Sequence, residues 1–136
     1  MADANESSSP AGDADASPAL RYVVLRHDGI AEPHYDLMFE TEPGSLLATW
    51  RSPVWPIGDR VRLTPLPPHR RDYLEYEGPV SGNRGEVKRV ARGMFRQREA
   101  GLGTWELLLE GSDVEGLSLR TWRDTRGGEV WDAAGM

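Results

Sequence analysis

The sequence contains no cysteine, which excludes a disulfide scaffold and every thiolate metal site. No apolar run approaches the ~20 residues that a membrane-spanning helix requires, so no membrane is expected as a partner. The opening segment, MADANESSSPAGDADASPAL, has neither the basic nor the apolar stretch of a secretory signal. A reducing, cytoplasmic setting is the expectation. Helical stripes are scarce too. The 88–99 stretch comes nearest to repeating apolar side chains at i, i+3 and i+4, and Gly93 interrupts it. Catalytic signatures built on a Gly-x-Ser-x-Gly elbow or a Gly-x-Gly-x-x-Gly loop are absent.

What is present fits one domain of 136 residues. Residues 1–19 are rich in Ala, Ser, Asp and Pro and lack hydrophobic periodicity, which predicts a disordered tail. After Pro18 the character changes to the β-branched and aromatic run RYVVLRH, and a folded domain is expected over 20–136. Strand-like runs recur at 21–26, 34–41, 46–51, 60–64, 73–78, 86–91, 104–110 and 117–122, separated by Gly, Pro, Asp or Asn. This rhythm predicts an all-β fold, an antiparallel barrel or sandwich. The five tryptophans (Trp50, Trp55, Trp105, Trp122, Trp131) are expected in its core rather than as base-stacking platforms.

The formal charge of −6 is unevenly spread. Residues 1–19 hold four acids and no base, and residues 99–136 hold eight acids against three bases. Residues 57–98 reverse the sign, with ten Lys/Arg against five acids. Such a basic middle suits phosphates on one face, or is simply an uneven solvated surface.

Only three histidines occur, and two lie in RHDGIAEPHYDLMFE. On a strand over 34–41, alternation sends Tyr35, Leu37 and Phe39 to the core and His34, Asp36, Met38 and Glu40 to the other face. His34 and Asp36 then project side by side, and the 28–33 loop can return His27 to the same face. Two imidazoles and one carboxylate suit Mn²⁺, Fe²⁺ or Zn²⁺ with open coordination positions. Histidines at such spacing are equally at home as ordinary surface or core residues. The second patch, HRRDYLEYEG, places His69 four residues before Tyr73 with Arg70 and Arg71 between them. These side chains offer charge-assisted hydrogen bonds to anionic oxygens, though an exposed loop before an edge strand has the same composition.

Taken together, YVVLRHDGIAEPHYDLMFE (22–40) and HRRDYLEYEGPVSGNRGEV (69–87) resemble the 3′-phosphoesterase domain of bacterial ATP-dependent DNA ligase D. That family carries FVVxxHxAxxxHYDLRLE followed by HPxDYxxFEGxIPxGxYGxGxV. The likeness spans about 20–122 and is nearest to short, stand-alone relatives with an HxDLM motif. It implies a small antiparallel β-barrel with a Mn²⁺ site at His27, His34 and Asp36, Zn²⁺ or another divalent metal being the alternative. It also implies His69 and Tyr73 at the scissile phosphate and Arg62 as a phosphate-binding arginine. The implied activity removes a 3′-phosphate or a 3′-terminal ribonucleotide from a primer end. The expected partners are nucleic-acid 3′ ends, with DNA ligase or end-joining proteins nearby, and the expected state is a monomer. Arg70, Arg71, Arg84, Lys88 and Arg89 are the expected nucleic-acid contacts. Met38 stands where the family has Arg, the His27–His34 spacing is one residue longer, and Arg62 is one residue nearer His69. Two other readings use the same residues. One is a non-catalytic barrel that binds nucleic-acid ends or a repair protein; the other is a two-His-one-carboxylate Fe²⁺ oxygenase.

Overall fold

A computed structural model describes residues 19–101, 104–111, 115–123 and 129–133. All but the last residue of the expected tail, 1–18, lie outside that set. The elements are β1 (Leu20–Asp28), β2 (His34–Glu40), β3 (Leu47–Ser52), β4 (Val61–His69), β5 (Gly78–Pro79), β6 (Glu86–Gly101), β7 (Thr104–Gly111), β8 (Glu115–Arg123) and β9 (Glu129–Ala133). A 3-10 turn over Arg71–Leu74 precedes β5. Hydrogen bonding runs β1-β2-β3-β4-β9-β8-β7-β6, and β6 pairs back onto β1. Eight antiparallel strands thus close a barrel. Among the described residues there is no α-helix, and no helix long and apolar enough to cross a membrane.

Closure depends on the length of β6. Its first part pairs with β1 (Glu86↔Asp28 through Phe95↔Leu20), and its later part pairs with β7. Gly93 faces both Tyr22 and Gly111, at the handover between partners. Ala91 and Phe95 are four apart, a spacing that a helix and a strand both satisfy. Pairing on both sides decides for the strand, as the expected run at 86–91 has it, and extends that strand to Gly101. The expected strand at 73–78 is corrected, because Arg71–Leu74 coils into the 3-10 turn and only Gly78–Pro79 pairs. The strand β9 had no counterpart among the expected runs.

Barrel side chains sort by parity. Tyr22, Val24, Leu37, Phe39, Phe95, Leu109, Leu119 and Trp131 meet in the interior. Trp50 and Trp55 pack against them, as expected of core tryptophans, whereas Trp105 is 42% exposed. The outer face of β1, β2 and β3 is also buried, contrary to a simple inside-outside alternation. Val23, Leu25, Met38 and Leu47 are covered there by Leu74, Val87, Tyr73 and Val80. The arm 70–85 therefore lies over the outside of the barrel, and the space between arm and barrel is where the polar residues of β2 emerge.

On its free side, β4 is paired with β9 only over Val61–Leu63. Pro65, Pro67 and Pro68 occupy much of the unpaired remainder, and they carry no N–H to offer another strand. Edge-to-edge association at this seam is thereby discouraged.

Candidate metal centre and its cleft

One face of β2 supplies most of the site. His34, Asp36, Met38 and Glu40 follow each other at alternate positions and are all buried. His27 sits opposite His34 in the β1–β2 ladder, so the two imidazoles meet edge to face with centroids 5.1 Å apart. His27 Nδ1 lies 3.6 Å from Asp36 Oδ2, and His34 Nε2 lies 3.2 Å from Asp36 Oδ1. Each of the three residues brings one ligand atom within 4.8 Å of the others.

The remaining ring nitrogens fix what these atoms are. His27 donates its Nε2–H to the Arg84 carbonyl at 2.7 Å, and His34 donates its Nδ1–H to the Glu32 carbonyl at 2.9 Å. In the neutral rings, the nitrogens facing Asp36 then carry lone pairs. Two lone pairs converge on a carboxylate that is 5% exposed. Despite the 3.2 Å approach of His34, Asp36 Oδ1 has no hydrogen-bond partner. A buried acceptor among acceptors is unfavourable alone and is satisfied by a cation. The donor set and this orphaned oxygen fit a divalent metal.

The close approach of two loops builds the Arg84 carbonyl into place. Gly85 has φ +75°, and a Cβ there would lie 2.1 Å from the Asp28 carbonyl oxygen. Gly29, at φ +76°, would bring a Cβ within 3.1 Å of Gly85 Cα. Only glycine lets the ends of β1 and of the arm touch this way.

A cleft of about 360 Å³ opens over the triad. His69, Tyr73, Arg84 and Arg51 line it together with His27, His34 and Asp36, and Ile30, Met38, Leu66, Val80 and Val87 form its apolar surface. His69 Nδ1 donates to the Pro67 carbonyl at 2.9 Å, which leaves Nε2 as the atom available for other partners. His69 and Tyr73 rings meet at 5.8 Å. The two sequence patches, 33 residues apart between Asp36 and His69, thus share one cavity.

The expected cationic contacts divide. Arg84 lines the cleft, although its guanidinium also donates to Ser81 through Nε at 2.7 Å and Nη2 at 3.2 Å. Arg62 is exposed on β4 and does not line the cleft. Arg51 lines it instead, from a strand position that faces Asp36 on one side and Thr64 on the other. Sequence reasoning missed Arg51, since only the β2–β3 register reveals its neighbour. Lys88 pairs with Arg26 and so projects from the sheet face opposite to His27 and Val87. Arg70 and Arg89 lie outside the cleft lining.

Arg71, another of the expected nucleic-acid contacts, is bonded within the protein. Its Nη1 donates to Glu40 Oε2 at 2.7 Å and to the Ser45 carbonyl at 2.8 Å. Glu40 also accepts the backbone N–H of Arg21 at 2.7 Å. This pair fastens the 3-10 turn, and with it Tyr73, to the end of β2. Burial alone would raise the Glu40 carboxyl, but the hydrogen bonds from Arg21, Arg71 and Gly44 and the charge of Arg71 outweigh it, leaving it below the ordinary 4.5. Stability from a lowered carboxyl is fully present above its unfolded value and is lost as pH falls through the folded one. Glu40→Gln is accordingly expected to cost about 1–3 kcal/mol at pH 7. In urea titrations the gap between variant and wild type should close as the solution is acidified below that range. A gap that persists unchanged in acid would assign the loss to packing instead.

Comparison with protein families finds none that matches this chain, and comparison with curated proteins finds no match either. The functional reading therefore rests on the residues and their arrangement.

Proposed function

We propose that this chain is a metal-dependent phosphoesterase acting on nucleic-acid 3′ ends, removing a terminal 3′-phosphate or ribonucleotide. The observation that carries the reading is the Asp36 carboxylate, buried between two imidazoles whose far nitrogens are tied to carbonyls, at the base of a cleft that also holds Arg51, His69 and Tyr73. His27, His34 and Asp36 would hold Mn²⁺, with Zn²⁺ as the competitor that intrinsic affinity favours. When bound, such a metal supplies Lewis acidity toward a phosphoryl oxygen and lowers the pKa of a bound water.

The protein's own groups account for the rest. Arg51 pairs with non-bridging phosphoryl oxygens and offsets charge that grows there in the transition state. His69, its ring held by the Pro67 carbonyl, accepts at Nε2 the proton of the attacking water and passes it to the leaving oxygen, which departs as the 3′-hydroxyl. Tyr73 donates its hydroxyl to orient the phosphate. Cationic and hydrogen-bonding groups on this wall favour an anion over dioxygen, which sets the phosphoester reading above the oxygenase. Arg51→Ala is expected to lower kcat/KM by roughly 100-fold while leaving metal affinity unchanged.

The second reading, a barrel that binds 3′ ends without cutting them, is favoured by one observation. Met38, at the place of the family's arginine, is 1% exposed beneath Leu74 and Val87, so no cation reaches the phosphate from that position. One assay separates the two. A labelled primer–template ending in a 3′-phosphate, and another ending in one ribonucleotide, are incubated with protein and Mn²⁺. Conversion to a 3′-hydroxyl, lost in His34→Ala, is the expected result. Salt-sensitive DNA binding without product, with metal bound at the triad, would replace the enzyme by the binding module.

A further inference from the structure

A second pocket, of about 250 Å³, opens from the barrel interior. It shares no residue with the metal cleft. Phe39 in its wall is five residues along β2 from His34, about 17 Å at ~3.3 Å per residue, and points to the opposite face of the sheet. Phe39, Trp50, Phe95 and Trp131 make the walls, with Phe39–Trp131 and Trp50–Trp131 centroids at 5.7 and 5.3 Å. Trp105 also lines the pocket while remaining 42% exposed.

Polar side chains converge on these aromatic walls, unlike an ordinary barrel end. Thr121 is 8% exposed, and the Glu129 side chain is 19% exposed with Arg123 Nη2 3.9 Å from its Oε2.

We propose that this pocket binds a planar nitrogen heterocycle of nucleobase size. The faces of such a ring stack on Trp105 and its aromatic neighbours. Its N–H edge donates to Glu129 and the Thr121 hydroxyl. A hydrocarbon ring would fill the space and leave both of these acceptors unmet. The volume falls below the ~300–1,000 Å³ of drug-sized sites, which restricts the occupant to one or two fused rings. This inference is independent of the phosphoesterase reading.

The test titrates the full chain with adenine, and in parallel with indene as a hydrocarbon of similar shape, following tryptophan fluorescence. Saturable quenching by adenine is expected, with indene weaker by about tenfold or more. Trp105→Ala, an exposed position, and Thr121→Val should each weaken adenine by about tenfold. His34→Ala should leave it unchanged, which separates this pocket from the metal cleft. Absence of saturable quenching, equal affinity for indene, or equal affinity in Trp105→Ala would overturn the proposal.

Discussion

Replacing His34 with Ala is expected to lower the affinity for Mn²⁺ or Zn²⁺ by at least ~100-fold, because changes to the partners of metal ligands alone cost about 10–100-fold. The barrel should survive, since the interior cluster and the outer cluster over Met38 do not include His34. A companion variant probes the cause. Asp36→Asn keeps the shape of the side chain and offers N–H donors to the imidazole lone pairs beside it. Without metal it should be more stable than wild type by roughly 1–3 kcal/mol, the cost of an unmet buried polar group. With metal the order should reverse, because free metal at 100 times Kd stabilises the wild type by about 2.7 kcal/mol and the variant hardly at all. Calorimetric titration and urea denaturation, each with and without metal, measure both effects. Wild-type metal affinity in His34→Ala would remove it from the ligand set. An Asp36→Asn variant less stable than wild type without metal would refute the strained carboxylate.

Gly85→Ala should be the most destabilising single-methyl change at the site. Its Cβ would fall 2.1 Å from the Asp28 carbonyl oxygen and 3.1 Å from Ile30 Cγ2, on a backbone already at φ +75°. Overpacking and the left-handed backbone together should cost about 2–5 kcal/mol. Gly44→Ala is the control, because it has φ +86° with nothing within 4 Å, leaving only about 1–2 kcal/mol of backbone strain. The Gly85 variant should also weaken metal binding, since moving the arm withdraws the Arg84 carbonyl from His27. Equal costs for the two glycines in urea denaturation would show that the loop contact yields freely.

Much of the site was legible along the chain because strand alternation is a local property. The run His34–Glu40 assigns His34 and Asp36 to one face whatever the rest of the molecule does. The eight turn-separated runs likewise announced an all-β domain, and seven of them correspond to barrel strands β1–β4 and β6–β8. Where the runs fell short, the cause was a partner remote in sequence. The expected strand 86–91 continues to Gly101 because β1 and β7 bond its two ends. Residues 71–74 coil instead of extending because Leu74 is drawn onto Met38 and Leu47, and Arg71 onto Glu40.

By itself the sequence determined the alternation of β2, the pairing of His34 with Asp36 and the β character of the domain, since each depends on residues within a few positions. Tertiary structure alone decided that the far face of β2 is covered by the arm, that Arg51 and not Arg62 lines the cleft, that Arg71 is an anchor, and that the carbonyls of Arg84 and Glu32 orient the imidazoles. Those outcomes depend on register between strands and on which loop reaches which face. Closure of a barrel fixes both at once, and no local pattern encodes either.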